Sequence, residues 1–154
     1  MSAAQPRLTE EATVSQQFVA EDSASPASHS MRVQTSATPE VIPTLRTIGA
    51  DLAMRLDFDL DAIDDLRMAV DEACSLLLPA ASDGQLDCDF RYGAGRIELS
   101  VSVFTEQPGL VAPDALGWQL LNALVTSVER SIDQVDGGFR AKIDLARDCA
   151  TVAR

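Results

Sequence analysis

At 154 residues with 46% hydrophobic content, the chain can bury one core and is read as a single domain. Twelve basic residues stand against 24 acidic ones, and the net charge of −12 argues against a phosphate backbone or an anionic membrane surface as partner, while leaving a basic protein open. Three cysteines, Cys74, Cys88 and Cys149, without CxxC spacing, indicate neither a disulfide framework nor a zinc site, and a reducing cytoplasm fits them.

Residues 1–30 are polar and poor in aromatics, the composition of a segment that cannot offset its ordering entropy by burial, and a disordered tail is expected. They lack a basic start followed by an apolar stretch, so no secretory signal is expected, and no apolar run in the chain approaches a membrane span. A strand is predicted from Met31. Thr38-Pro39-Glu40 opens a first helix, with Thr38 as cap and Pro39 at the first helical position, and Val41, Leu45, Ile48, Leu52 and Leu56 form its apolar face. Pro43 is costly there and delays the regular helix by a turn.

A second helix is predicted from Leu60 to Leu78. Leu60, Ile63, Leu66, Val70, Ala73 and Leu77 recur at helical spacing, Asp59 caps the start, Asp61, Asp64 and Asp65 favour the positive end, and Pro79 marks the close. Met68, Glu72 and Leu76 share a second stripe at i,i+4 steps, so Glu72 is the acid on this helix placed beyond the capping region and near the buried face.

Leu86, Cys88, Phe90 and Tyr92, then Ile97, Leu99, Val101 and Val103, alternate with polar residues around Gly93-Ala94-Gly95, which predicts a hairpin. The stretch 105–114, with Pro108, Gly109 and Pro113, reads as a loop. A third helix from Ala115 to Val128 is expected to bury Leu120, Leu121, Leu124 and Val128. A last hairpin turns at Asp136-Gly137-Gly138, with Phe139, Ala141, Ile143 and Leu145 on one face. This order is not the β-α alternation of a Rossmann sheet; it predicts an α+β two-layer sandwich, a mostly antiparallel sheet with about three helices on one face. A domain over residues 31–147 with a short C-terminal tail, 148–154, follows.

Histidine-based acid-base catalysis is not expected, since His29 is the sole histidine and lies in the tail. Lys142 is the sole lysine and no GxxxxGK occurs, so the P-loop class falls as well.

The segment Glu72-Ala73-Cys74-Ser75-Leu76, and the order of elements around it, resemble the serine-kinase anti-sigma factors (RsbW-like) of the GHKL ATPase superfamily, with its Bergerat-type fold. In that family the helix carries Glu-Ala-x-x-Asn, the Glu as general base and the Asn as magnesium ligand. The resemblance makes Glu72 the general-base remnant and sets Leu76 where the metal ligand stands. Ser75 lies about 100° around the helix and points elsewhere, and magnesium requires oxygen ligands. The resemblance further places loop 105–114 at the ATP lid and Leu116-Gly117-Trp118 at the second glycine box. There Gly117 is a nucleotide-binding remnant and Ala115 replaces the first glycine. Val103 falls at the adenine-binding Asp, Phe139 or a neighbour at the threonine after the last glycine, and Arg46 at an arginine that contacts the sigma factor.

Losing a metal ligand, an adenine acceptor and a glycine, at about 1–3 kcal/mol per buried hydrogen bond, takes a micromolar site of about 8 kcal/mol to millimolar or beyond. The function implied is therefore a cytoplasmic anti-sigma factor that sequesters an alternative sigma factor of the stress or sporulation class. It would be released by an anti-anti-sigma (STAS-domain) partner and need no cofactor. The family's homodimer is implied with it; direct nucleic-acid or membrane binding is not. Two alternatives stand beside it: an active serine/threonine kinase using ATP and magnesium to phosphorylate the anti-anti-sigma partner, and a GHKL-shaped module of another regulatory complex.

Overall fold

The computed structural model describes residues 28–111 and 116–149. Five strands, β1 (His29–Ser36), β2 (Gln85–Gly93), β3 (Arg96–Thr105), β4 (Ser127–Val135) and β5 (Gly138–Asp148), form one sheet in the order β1-β2-β3-β5-β4. Every neighbouring pair is antiparallel. Helices α1 (Ile42–Arg55), α2 (Leu60–Leu77) and α3 (Leu116–Leu124) complete the α+β architecture.

Alternation along the strands decides which sheet face meets the helices. Leu86, Cys88 and Phe90 of β2, Ile97, Leu99, Val101 and Val103 of β3, and Ala141, Ile143 and Leu145 of β5 are buried in one cluster with Leu66, Val70, Ala73 and Leu77 of α2. The opposite face is polar and laced with ion pairs, Arg32 to Asp89 at 2.7 Å and Arg96 to Asp148 at 2.8 Å among them. The hydrogen bond to Asp89 holds the Arg32 guanidinium above its ordinary pKa, and Asp148 does the same for Arg96. Such exposed pairs each contribute little to stability.

Several boundaries differ from the sequence reading for identifiable reasons. β1 starts at His29, because His29 and Ser30 pair with Tyr92 and Arg91; β5 runs through Asp148, whose neighbour across the ladder is Arg96. The rest of residues 1–30 and of 148–154, where tails are expected, lies outside the described residues apart from Ser28 and Cys149. Thr38 makes no side-chain cap bond. Pro39–Val41 is a 3₁₀ turn and the α-helix follows from Ile42 with Pro43 in its first turn, where a missing N–H costs nothing. In α2, Asp59 accepts from the Ala62 N–H at 2.9 Å as expected, but Leu60, the first helical residue, is 76% exposed.

The third helix ends at Leu124, not Val128. Val128 belongs to β4 and pairs with Leu145, and Leu120, expected inside, is exposed. Thr105 belongs to β3 and Phe139 is half-buried opposite it. Both hairpin loops have two residues, one fewer than their glycine runs imply: Gly93 pairs with Arg96, and Val135 with Gly138. The first loop puts Ala94 and Gly95 at φ 53° and 73°, the left-handed pair of a type I′ turn, with a Cβ at Ala94 that such a position disfavours.

Candidate functional site

Helix α2 is the axis of the site, with α1 on one flank and α3 on the other. On the α1 flank, Gly49 lets the two backbones approach: a methyl there would stand 3.2 Å from Val70 Cγ2. Arg46 donates to Asp71 at 3.0 Å across the same seam, and its side chain keeps 34% of its surface exposed.

On the other flank α3 runs antiparallel to α2. Gly117, in its first turn, sits on the Glu72 stripe; a methyl on Gly117 would meet Glu72 Oε1 at 3.1 Å and Leu76 Cδ2 at 3.3 Å. At the far end Arg147 of β5 reaches Asp65 of α2 at 3.2 Å and donates to the Leu124 carbonyl of α3 at 3.2 Å. One guanidinium thus joins the last strand, the start of α2 and the C-terminal end of α3, where a cation is favoured. Trp118 turns to the other side of α3 and packs half-buried against the core.

Glu72 Oε1 is fully buried and has no hydrogen-bond partner among the described residues; Arg147 Nε shares that condition. A carboxylate oxygen held dry against a helix N-terminus gains from the helix dipole but gives up its hydration. Of the expected site residues, the structure brings together Glu72, Leu76 and Gly117. Val103 lies fully buried near the C-terminal end of β3, opposite Ala141, and carries no group to bond a base. Arg46 is on the opposite flank of α2. Ala115 lies outside the described residues, as do residues 112–114 of the expected lid.

The described part of that loop is tied down. Thr105 Oγ1 accepts from the Gln107 N–H, Ser82 Oγ from the Glu106 N–H, and Arg130 donates to the Val111 carbonyl at 3.2 Å. Among the described residues no three His, Cys, Asp or Glu side chains are grouped to hold a metal. The residues present do not suit a magnesium-bound nucleotide: Leu76 offers no oxygen, Val103 no acceptor, and Gly117 is seated directly on the carboxylate a nucleotide would approach.

Sequence reasoning missed the Arg147 clamp, whose partners are far away in the chain. The signal available was an arginine at the core parity of β5, two residues beyond Leu145, where an apolar residue would continue the pattern.

No family model matches the chain. It is 30% identical over 100 residues to the anti-sigma-F factor RsbW of two strains of Mycobacterium tuberculosis, a match covering 64% of this chain and 60% of the relative. A crystal structure of the RsbU and RsbW domains of Rv1364c from Mycobacterium tuberculosis superposes with a TM-score of 0.54 at 19% identity, covering 79% of this chain and 33% of that one. The alignment thus spans under two thirds of the RsbW relatives' length. The likeness to the solved structure is one of fold.

Proposed function

From a chain that is RsbW-like in sequence and in fold, we infer an anti-sigma factor that binds an alternative sigma factor of the stress or sporulation class and gives it up to an anti-anti-sigma partner, without ATP. The observation that carries the nucleotide-free part is the contact of Gly117 with Glu72 and Leu76. A side chain that cannot ligate magnesium fills the ligand's position and packs on the helix that would otherwise border the phosphates. Control of release then rests on competition between proteins.

Arg46 is proposed as a sigma contact. Its guanidinium is held by Asp71 yet remains partly open to solvent, and an arginine so pre-ordered binds with little further loss of side-chain entropy. The net charge of −12 favours approach of a basic partner. Among the described residues no helix is long and apolar enough to cross a membrane; a cytoplasmic role is proposed on the likeness to RsbW.

Calorimetric titration with magnesium-ATP tests the reading, with Leu76→Asn run alongside. Neither protein should give heat at micromolar nucleotide, because restoring one ligand leaves Val103 and the seated Gly117 in place. Micromolar binding by the wild type would overturn it. The kinase alternative is favoured by one feature, the retained Glu72 carboxylate with an oxygen free of partners. Stoichiometric transfer of labelled phosphate to an anti-anti-sigma protein, abolished by Glu72→Ala, would establish that alternative.

A further inference from the structure

Most of the large apolar side chains of α2 and α3 are buried; besides Leu60 at the very start of α2, Met68, Leu116 and Leu120 are not, being 47%, 77% and 38% exposed. Their placement follows from the contacts of the seam. Glu72 and Gly117 face each other and Asp65 and Leu124 are joined through Arg147, so Met68, one turn before Glu72, stands level with Leu120, one turn after Gly117. Leu121 and Leu124 point into the core and Trp118 packs on it, which leaves Leu116 and Leu120 on the flank of α3 away from the sheet. The outer rim of the α2–α3 seam is therefore an apolar ridge. Exposed acids border it on α2, Asp61 and Asp64, and neither is ion-paired among the described residues.

We propose that this ridge, Met68 with Leu116 and Leu120, is a docking surface for a basic amphipathic helix of a protein partner. The apolar face of that helix lies on the three side chains, and its lysines or arginines meet Asp61 and Asp64. The proposal rests on the partner-binding reading above and gives it a place on the molecule distinct from Arg46, which lies on the α1 flank. Charge decides the occupant. A second copy would bring the same aspartates against this rim, whereas a basic helix neutralises them and covers the apolar groups in one step.

The probe is a synthetic peptide of about 18 residues, leucine on one helical face and lysine on the other, titrated against the full chain by fluorescence anisotropy. Wild type should bind it, and Met68→Asp with Leu120→Asp should weaken binding more than tenfold with an unchanged circular dichroism spectrum. Adding two acids would strengthen a purely electrostatic association, so weakening is specific to the apolar contact. Affinity that is unchanged or higher overturns the proposal, and so does equal binding of a leucine/glutamate peptide. Ultracentrifugation showing a wild-type dimer that the same substitutions dissolve also overturns it, since the occupant is then a second copy. A parallel pull-down with purified alternative sigma factors separates the two ideas: capture by wild type and variant alike sinks the ridge and keeps the anti-sigma reading. Capture by neither, with the peptide result intact, does the reverse.

Discussion

Helix α2 is gripped on both flanks by the same two devices, a glycine on the neighbouring helix and an arginine reaching one of its aspartates, but the flanks differ in what those devices meet. Gly49 rests on Val70 and Leu66, apolar atoms that gain from contact, and Arg46 is a half-exposed surface partner of Asp71. Gly117 rests on a carboxylate, and Arg147 is an 11% exposed cation with one nitrogen lacking a partner among the described residues. The α1 flank is ordinary packing with a spare binding group. The α3 flank encloses polar atoms in a dry seam, an arrangement that costs stability and persists where its parts hold each other.

The largest expected effect lies in Arg147. Arg147→Ala removes the bridge to Asp65 and the bond to the Leu124 carbonyl, and should cost about 3 kcal/mol in urea denaturation. A loss below about 1 kcal/mol would make the two flanks equivalent and end the contrast. Beneath both flanks, Cys74 of α2 and Cys88 of β2 meet in the core; the hydrogen bond with Cys88, then burial, pushes the Cys74 thiol far above the usual thiol range. Because its folded pKa exceeds the unfolded one, the stability it contributes is complete below about pH 8.5 and is lost as pH rises beyond it, by up to about 1.4 kcal/mol per pH unit. Cys74→Ala should flatten that alkaline decline in a melting series; an unchanged slope would assign it to other groups.

The glycines give a smaller and sharper test. Gly117→Ala forces its methyl against Glu72 and Leu76 and should cost about 1 kcal/mol, whereas in Gly49→Ala the gain in helix propensity offsets a mild overpacking and the net should fall within about 0.5 kcal/mol of zero. Glu72→Ala made together with Gly117→Ala should recover part of the first loss, and strict additivity would deny the contact its role. Smallest in stability is Arg46→Glu, a surface pair worth less than about 1 kcal/mol. It should leave the melting temperature nearly unchanged while weakening sigma-factor binding more than tenfold; wild-type affinity would return Arg46 to the class of plain surface ion pairs.

How legible this was in the sequence depended on whether a residue's surroundings are local. The alternation Leu86-Cys88-Phe90 and Ile97-Leu99-Val101-Val103 sets the faces of β2 and β3 by period alone, and the burial follows it. The Glu72 stripe was legible for the same reason. Val128 misled because it stands four residues after Leu124, a spacing that continues a helix equally well; only pairing with Leu145 makes it a strand residue. Leu60 misled because helical phase says which way a side chain points and not whether anything packs against it there. The Asp71 partner of Arg46, 25 residues away, and the Leu124 partner of Arg147, 23 residues away, are products of the assembled fold, with no local signature.

Arg147 also fixes an order of events. The residue that ties the ends of α2 and α3 together is made after both helices, since it lies near the end of β5. Until then the Glu72 carboxylate is under a helix that nothing clamps at its far end. The clamp is therefore the last part of this seam to be made, and it reaches its place only when β5 pairs with β3.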